Sequence, residues 1–198
     1  MHVLTNSLLL SHRLAVTASV EVVSKVDAGD LGRPTPCSEW TLADLLAHMT
    51  AQHHGFAAAA AGRGADEAAW RLRPTADPVA DYVSAADLLL AAFAEDGLGE
   101  FALPELSPTP FPAEQAVTFH LIDYVVHGWD VARAIDLPYD LHPDVAEPAL
   151  AIARSVPDHP SRREPGAPFA PALPAAPDAT PLEQILTALG RNPNWPST

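Results

Sequence analysis

Residues Val117 to Val131 read Val-Thr-Phe-His-Leu-Ile-Asp-Tyr-Val-Val-His-Gly-Trp-Asp-Val, a stretch of helical length that is apolar nearly all round. At about 100° per residue, its ionisable side chains His120, Asp123, His127 and Asp130 fall within an arc of roughly 80°. A helix this apolar belongs in a core, where charges persist only when they are paired or bound to a metal. The chain must therefore surround this segment with other elements and bring partners to its polar edge.

The flanking sequence supplies those elements. Apolar residues recur at helical spacing from Ser7 to Val26, and Thr41 is a good N-cap for a second helix over Leu42 to Ala61, with Trp40 as a hydrophobic staple and Gly62 and Gly64 as the stop. Asp77 and Pro78 suit the cap and first turn of a third helix running to about Ala94, with Tyr82, Ala85, Leu89 and Phe93 as its apolar stripe. Between Gly97 and Pro112 prolines break the pattern, and Glu100 to Leu103 is expected in a loop or hairpin. The fourth helix is expected over roughly Ala113 to Ile135, a fifth between Pro143 and Pro157, and a short terminal one over Leu182 to Leu189. The 198 residues fit one domain, 1-198, made of a bundle over about 7–156 and a proline-rich C-terminal extension over about 157–198 packed on it. Long helices joined by short loops and one crossover describe a helix bundle, whose ligand and metal sites are built between facing helices.

Composition narrows the function. A net charge of -14, from 11 basic against 25 acidic residues, opposes binding to a phosphate backbone, so nucleic acid is excluded as a partner. No apolar run approaches the roughly 20 residues that span a bilayer, and the leucines at 8–10 stop short of a signal-peptide core. With a single cysteine, Cys37, the chain reads as a soluble, cytoplasmic protein, a monomer or homodimer acting on a small molecule.

On the second helix Leu45, His48, Met49, Gln52 and Phe56 form one stripe, which turns His48 toward the core. His48 then joins Asp123 and His127 as a candidate metal set. Two imidazoles and a carboxylate suit zinc, with nickel or iron(II) as alternatives, and three protein ligands leave a position open for water or substrate. The competing reading of Asp123 and His127 is a simple hydrogen bond between neighbours one turn apart. His120 is the candidate catalytic residue, as a proton shuttle, fourth ligand or partner of the carboxylate. Gln52, one turn beyond His48, is the candidate cofactor-binding residue. His53 and His54 are expected at the surface or rim, Cys37 as a small buried hydrophobe, Tyr124 in the core, and Asp130 paired with Arg133.

Three stretches carry a resemblance when taken together: Thr35-Pro36-Cys37-Ser38-Glu39-Trp40-Thr41, Leu45-Leu46-Ala47-His48, and Asp123-Tyr124-Val125-Val126-His127-Gly128-Trp129-Asp130. In order and spacing they resemble an actinobacterial metal-binding family, similar to the N-terminal domain of mycothiol-dependent maleylpyruvate isomerase in the DinB-like superfamily. The ending, Phe169-Ala170-Pro171 through Leu182 and Leu189-Gly190-Arg191, extends the likeness. The resemblance implies an all-α, DinB-like four-helix bundle with extra short helices. It also implies a zinc-type ion held by a histidine on the second helix and by an acidic residue and a histidine four apart on the last, matching His48, Asp123 and His127. The isomerase has Glu where this chain has Asp123, and it carries an additional C-terminal domain for which this chain has no room.

By this likeness the favoured expectation is an enzyme: a metal-dependent isomerase or transferase using mycothiol or another low-molecular-weight thiol. Two alternatives stay open. One is a metal-dependent isomerase or cyclase of specialised metabolism without a thiol cofactor. The other is a non-catalytic small-ligand-binding bundle with a structural metal.

Overall fold

The computed structural model describes residues 5–37, 40–164 and 167–196. Among the described residues, six α-helices carry the fold: α1 (Asn6–Val23), α2 (Leu42–Ala60), α3 (Pro78–Phe93), α4 (Ala113–Ala134), α5 (Pro143–Ser155) and α6 (Pro181–Ala188). Each starts or stops where local chemistry dictates. Thr41 and Asp44 form a reciprocal capping box on α2, Asp77 caps α3 ahead of Pro78, and Thr180 with Glu183 repeats the box on α6. Past the end of α2, Gly62 adopts a positive φ that a side chain would resist.

The first four helices form a ring in which α1 packs on α4, α4 on α2, α2 on α3 and α3 back on α1. The strongest pairings are α1 with α4 and α2 with α3. The α4 helix is buried on almost every side, as its apolar sequence requires, because α5 covers its outer flank while α1 and α2 take the inner ones. Among the described residues, no helix is long and apolar enough to cross a membrane.

The expected loop or hairpin between α3 and α4 is a two-stranded antiparallel hairpin. Strand β1 (Glu100–Phe101) pairs with β2 (Phe111–Pro112) in the register Glu100 to Pro112 and Phe101 to Phe111. Phe101 is completely buried, with its ring 5.7 Å from Phe93, so one inward side chain anchors the hairpin on the bundle. Strand β2 leads directly into α4, and the loop over 102–110 is left free to lie along α2.

Helix α5 contains Pro148, which has no amide proton to give the carbonyl of Asp144. That carbonyl is met instead by the hydroxyl of Ser11 on α1, at 2.7 Å, and Ser11 is itself buried. A net hydrogen bond of this kind contributes about 1 kcal/mol, so the helix interruption is built into the α1–α5 contact. Replacing Ser11→Ala should therefore lower stability by about 1–2 kcal/mol in urea unfolding. The loss should shrink in a Pro148→Ala background, where the helix amide returns; an equal loss in both backgrounds would remove Asp144 as the reason for the serine.

Candidate metal centre

The second and fourth helices bring three ligand groups together. One ligand atom each from His48, Asp123 and His127 lies within 4.8 Å of the others. His127 Nε2 is 3.3 Å from Asp123 Oδ1. That separation is close to the ~3.3 Å edge of a tetrahedron whose ligands stand at the 2.0–2.1 Å of a zinc site. The His48 and His127 rings meet nearly edge-on at 5.4 Å, and Trp40 covers the pair from the side, 4.8 Å from His48 and 6.4 Å from His127. Asp123 keeps 28% of its side-chain surface exposed, against 7% for His127, and His48 is half-buried.

The far side of His127 is fixed by a second contact. Its Nδ1 lies 2.9 Å from Asp130 Oδ2, and Asp130 is fully buried. Arg191 grips the same carboxylate, with Nε 3.1 Å from Oδ1 and Nη2 3.1 Å from Oδ2. Arg191 reaches this position through the turn that ends α6. The amide of Arg191 donates to the carbonyl of Leu186 at 2.8 Å, while Gly190 takes a positive φ in which a Cβ would stand 2.6 Å from the Ala170 backbone. Only glycine fits there, so the C-terminal extension is bent at one residue to place a guanidinium behind the site.

The charges follow this arrangement. Burial holds the His48 imidazole below its usual pKa against the pull of Asp123, which favours the neutral form that can donate to a metal. Burial would also depress His127, but Asp123 and Asp130 outweigh it and raise that imidazole to about 9. For Asp123, desolvation pushes upward and is overcome by His127, His48 and Arg191, so the carboxyl stays below its ordinary value. Cys37 is half-buried near His127 and Asp130, and burial pushes its thiol up to about 11, which keeps it protonated and weakly nucleophilic. Its neighbours Ser38 and Glu39, part of the Thr35–Thr41 stretch, lie outside the described residues.

Other expected residues fall elsewhere. Gln52 is buried one turn past His48, and its Nε2 donates to Glu105 Oε2 at 3.0 Å, a partner on the β1–β2 loop that sequence spacing gave no means of finding. His120 is not brought to the three ligands. It turns toward α1, where its Nδ1 shares a hydrogen bond of 2.9 Å with His12 Nε2. Asp130 pairs with His127 and Arg191 rather than with Arg133, whose guanidinium donates to the Trp195 carbonyl. The i+3 rule failed there because a buried carboxylate takes a partner from any element that reaches it. Tyr124 is in the core, its hydroxyl donating to the Met49 carbonyl.

A sequence model for the mycothiol maleylpyruvate isomerase N-terminal domain matches residues 12–132. The chain belongs to this family. Two uncharacterized proteins of Mycobacterium tuberculosis, from different strains, are each 34% identical to it over 186 residues, covering 92% of this chain and 97% of the relative. No solved structure matches the chain. The family domain is a DinB-like helical fold associated with mycothiol and with metal binding, and the observed bundle agrees with it. The matched span contains all three ligand candidates but ends before Arg191, whose place behind His127 emerges only from the folded chain.

Within the family domain lies a second histidine group that sequence reasoning missed. His53, expected at the surface or rim, is completely buried together with His12 and His120. Because α2 packs on both α3 and α4, its buried arc is wide enough to enclose a residue turned about 140° from His48. His53 stacks on Tyr124 at 4.2 Å and lies 5.3 Å from the His120 ring, with neither of its nitrogens hydrogen-bonded among the described residues. His54, by contrast, is half-buried. Burial lowers all three core imidazoles, His12 to about 3 and the others well below the ordinary value. In the unfolded chain they titrate near 6.5. Stability is therefore full above that pH and is lost as the pH falls toward the folded values, at roughly 1.4 kcal/mol per pH unit for each histidine. His127, raised in the fold, adds stability only as the pH drops to 6.5, so it does not offset this loss. The urea midpoint of the metal-free protein should fall steeply between pH 6.5 and 5, and His12→Phe should flatten the slope; a flat profile over that range would contradict neutral burial.

Proposed function

We propose that this protein holds one divalent ion, zinc in the first instance, through His48, Asp123 and His127. On this reading it uses the ion to bind and activate a low-molecular-weight thiol such as mycothiol in an isomerisation or thiol transfer. The observation that carries the reading is the paired setting of His127, with Nε2 toward Asp123 and Nδ1 held by a buried Asp130 that is itself gripped by Arg191. A carboxylate behind a ligating imidazole fixes its tautomer and raises its basicity, as in established carboxylate–histidine–metal triads.

The donor set fits the group. Two imidazoles and one carboxylate are borderline-to-hard ligands suited to zinc, and the three protein ligands leave one side free. When bound, the ion would supply Lewis acidity, lowering the pKa of a thiol or polarising a carbonyl. The protein's own residues supply the rest. Asp130 accepts the Nδ1–H of His127, so that once the Nε2 proton is given up to ion binding the Nε2 lone pair would be directed at the site. Trp40 shields the two imidazoles from water on one side, while the exposed edge of Asp123 marks the side from which a ligand enters. A reducing cytoplasm suits such a thiol partner.

Maleylpyruvate, named in the family description, is a dicarboxylate. The guanidinium behind the site, Arg191, is committed to Asp130, so the proposed substrate is not a dicarboxylate bound through that arginine.

Metal analysis of protein reconstituted with zinc tests the assignment. The wild type should retain about one ion per chain, His48→Ala should lose it, and Asp130→Asn should bind roughly 10- to 100-fold more weakly while keeping the triad. Stoichiometric zinc in His48→Ala would refute the site.

A further inference from the structure

One turn beyond His48, α2 holds a carboxylate that comes from another element. Glu105 lies on the β1–β2 loop and is exposed, yet it is tethered: Gln52, buried on α2, donates to its Oε2 at 3.0 Å. Gln52 follows His48 by four residues on the same face of α2, which is one turn, or about 6 Å along the axis. The Glu105 charge accordingly acts on the His48 imidazole, alongside Asp123. Glu105 is not within ligand distance of the other three, so it stands at the rim rather than in the set.

Two cationic side chains behind the site are already engaged: Arg191 pairs with Asp130 behind His127, and Arg133 donates to the Trp195 carbonyl. The net charge of -14 adds a background of the same sign as Glu105. A ligand held at His48 therefore has, about one turn along α2, a negative group whose position is set by Gln52.

From this arrangement we infer that Glu105, positioned by Gln52, sets the charge specificity of the site: it favours ligands whose group beyond the binding sulfur is neutral or cationic, and disfavours anionic ones. This rests on the metal reading above and adds the class of ligand. One unit charge at a partly solvated rim is expected to change relative affinity by about tenfold. Because the tether is a hydrogen bond from a buried amide, losing Gln52 should weaken the preference without abolishing it.

The test uses the full-length protein loaded with cobalt(II) and three small thiols of similar length: 2-aminoethanethiol, 2-mercaptoethanol and 3-mercaptopropionate. Their binding is followed by the cobalt–sulfur absorption. The thiols differ in intrinsic acidity, so the quantity that decides is the affinity ratio of the ammonium to the carboxylate thiol, compared between proteins. Relative to wild type, the ratio should fall about tenfold in Glu105→Gln, fall further in Glu105→Lys, and fall by a smaller factor in Gln52→Ala. Cobalt affinity itself should stay within a few-fold in Glu105→Gln, since this residue is not a ligand.

An unchanged ratio in Glu105→Gln and Glu105→Lys, with cobalt and thiols still bound, overturns the specificity role and leaves the metal site standing. Loss of cobalt from Glu105→Gln also overturns it, because Glu105 would then be a ligand. Failure of the wild type to bind cobalt brings down the metal reading, and the specificity role with it.

Discussion

Asp130 is fully buried on a helix that is itself buried, and a carboxylate in that position must be met by partners or abandon its charge. It is met twice, by the Nδ1 of His127 one turn back and by the guanidinium of Arg191 from beyond α6. One residue thus joins the central helix, the C-terminal extension and the candidate metal centre. Removing one member of a buried pair typically costs 3–5 kcal/mol, because the other is left uncompensated. The extension is therefore tied to the bundle by charge as well as by the apolar contacts of Ile185 and Leu189 with α1, α4 and α5.

The same carboxylate sorts the polar edge of α4 into two environments. Toward the C-terminal end, His127 sits between two acids and is held basic, with Asp123 reaching solvent. Toward the N-terminal end, His120 is packed among His12, His53, Phe56 and Tyr124 as a neutral, aromatic-like side chain, with no acid against it among the described residues. Residues that share an arc of one helix thus have opposite electrostatics, because the helices facing them differ: α1 supplies His12 at one end, while α2 supplies His48 at the other.

Helix positions were largely legible in the sequence because their caps are local. Thr41, Asp77 and Thr180 fix α2, α3 and α6 through hydrogen bonds within three residues, and the observed bounds differ from the expected ones by only a few positions. The convergence of His48 with Asp123 and His127 was legible from apolar stripes together with the family's motif order. What escaped was every contact that depends on which element faces which. His53 was misplaced because α2 buries two faces at once, and Asp130 was assigned to Arg133 when Arg191 lay 61 residues along the chain. Gln52 was recognised as well placed, but its partner Glu105 comes from a loop without any periodic pattern to read.

The central claim, that His48, Asp123 and His127 hold one ion, is tested most directly by crystallography of the zinc-reconstituted protein with data collected across the zinc absorption edge. The account predicts one anomalous peak within about 2.0–2.2 Å of two imidazole nitrogens and the Asp123 carboxylate, with a non-protein atom on the remaining side. An ion bound elsewhere, or a hydrogen bond between Asp123 and His127 that persists at saturating zinc, would contradict it.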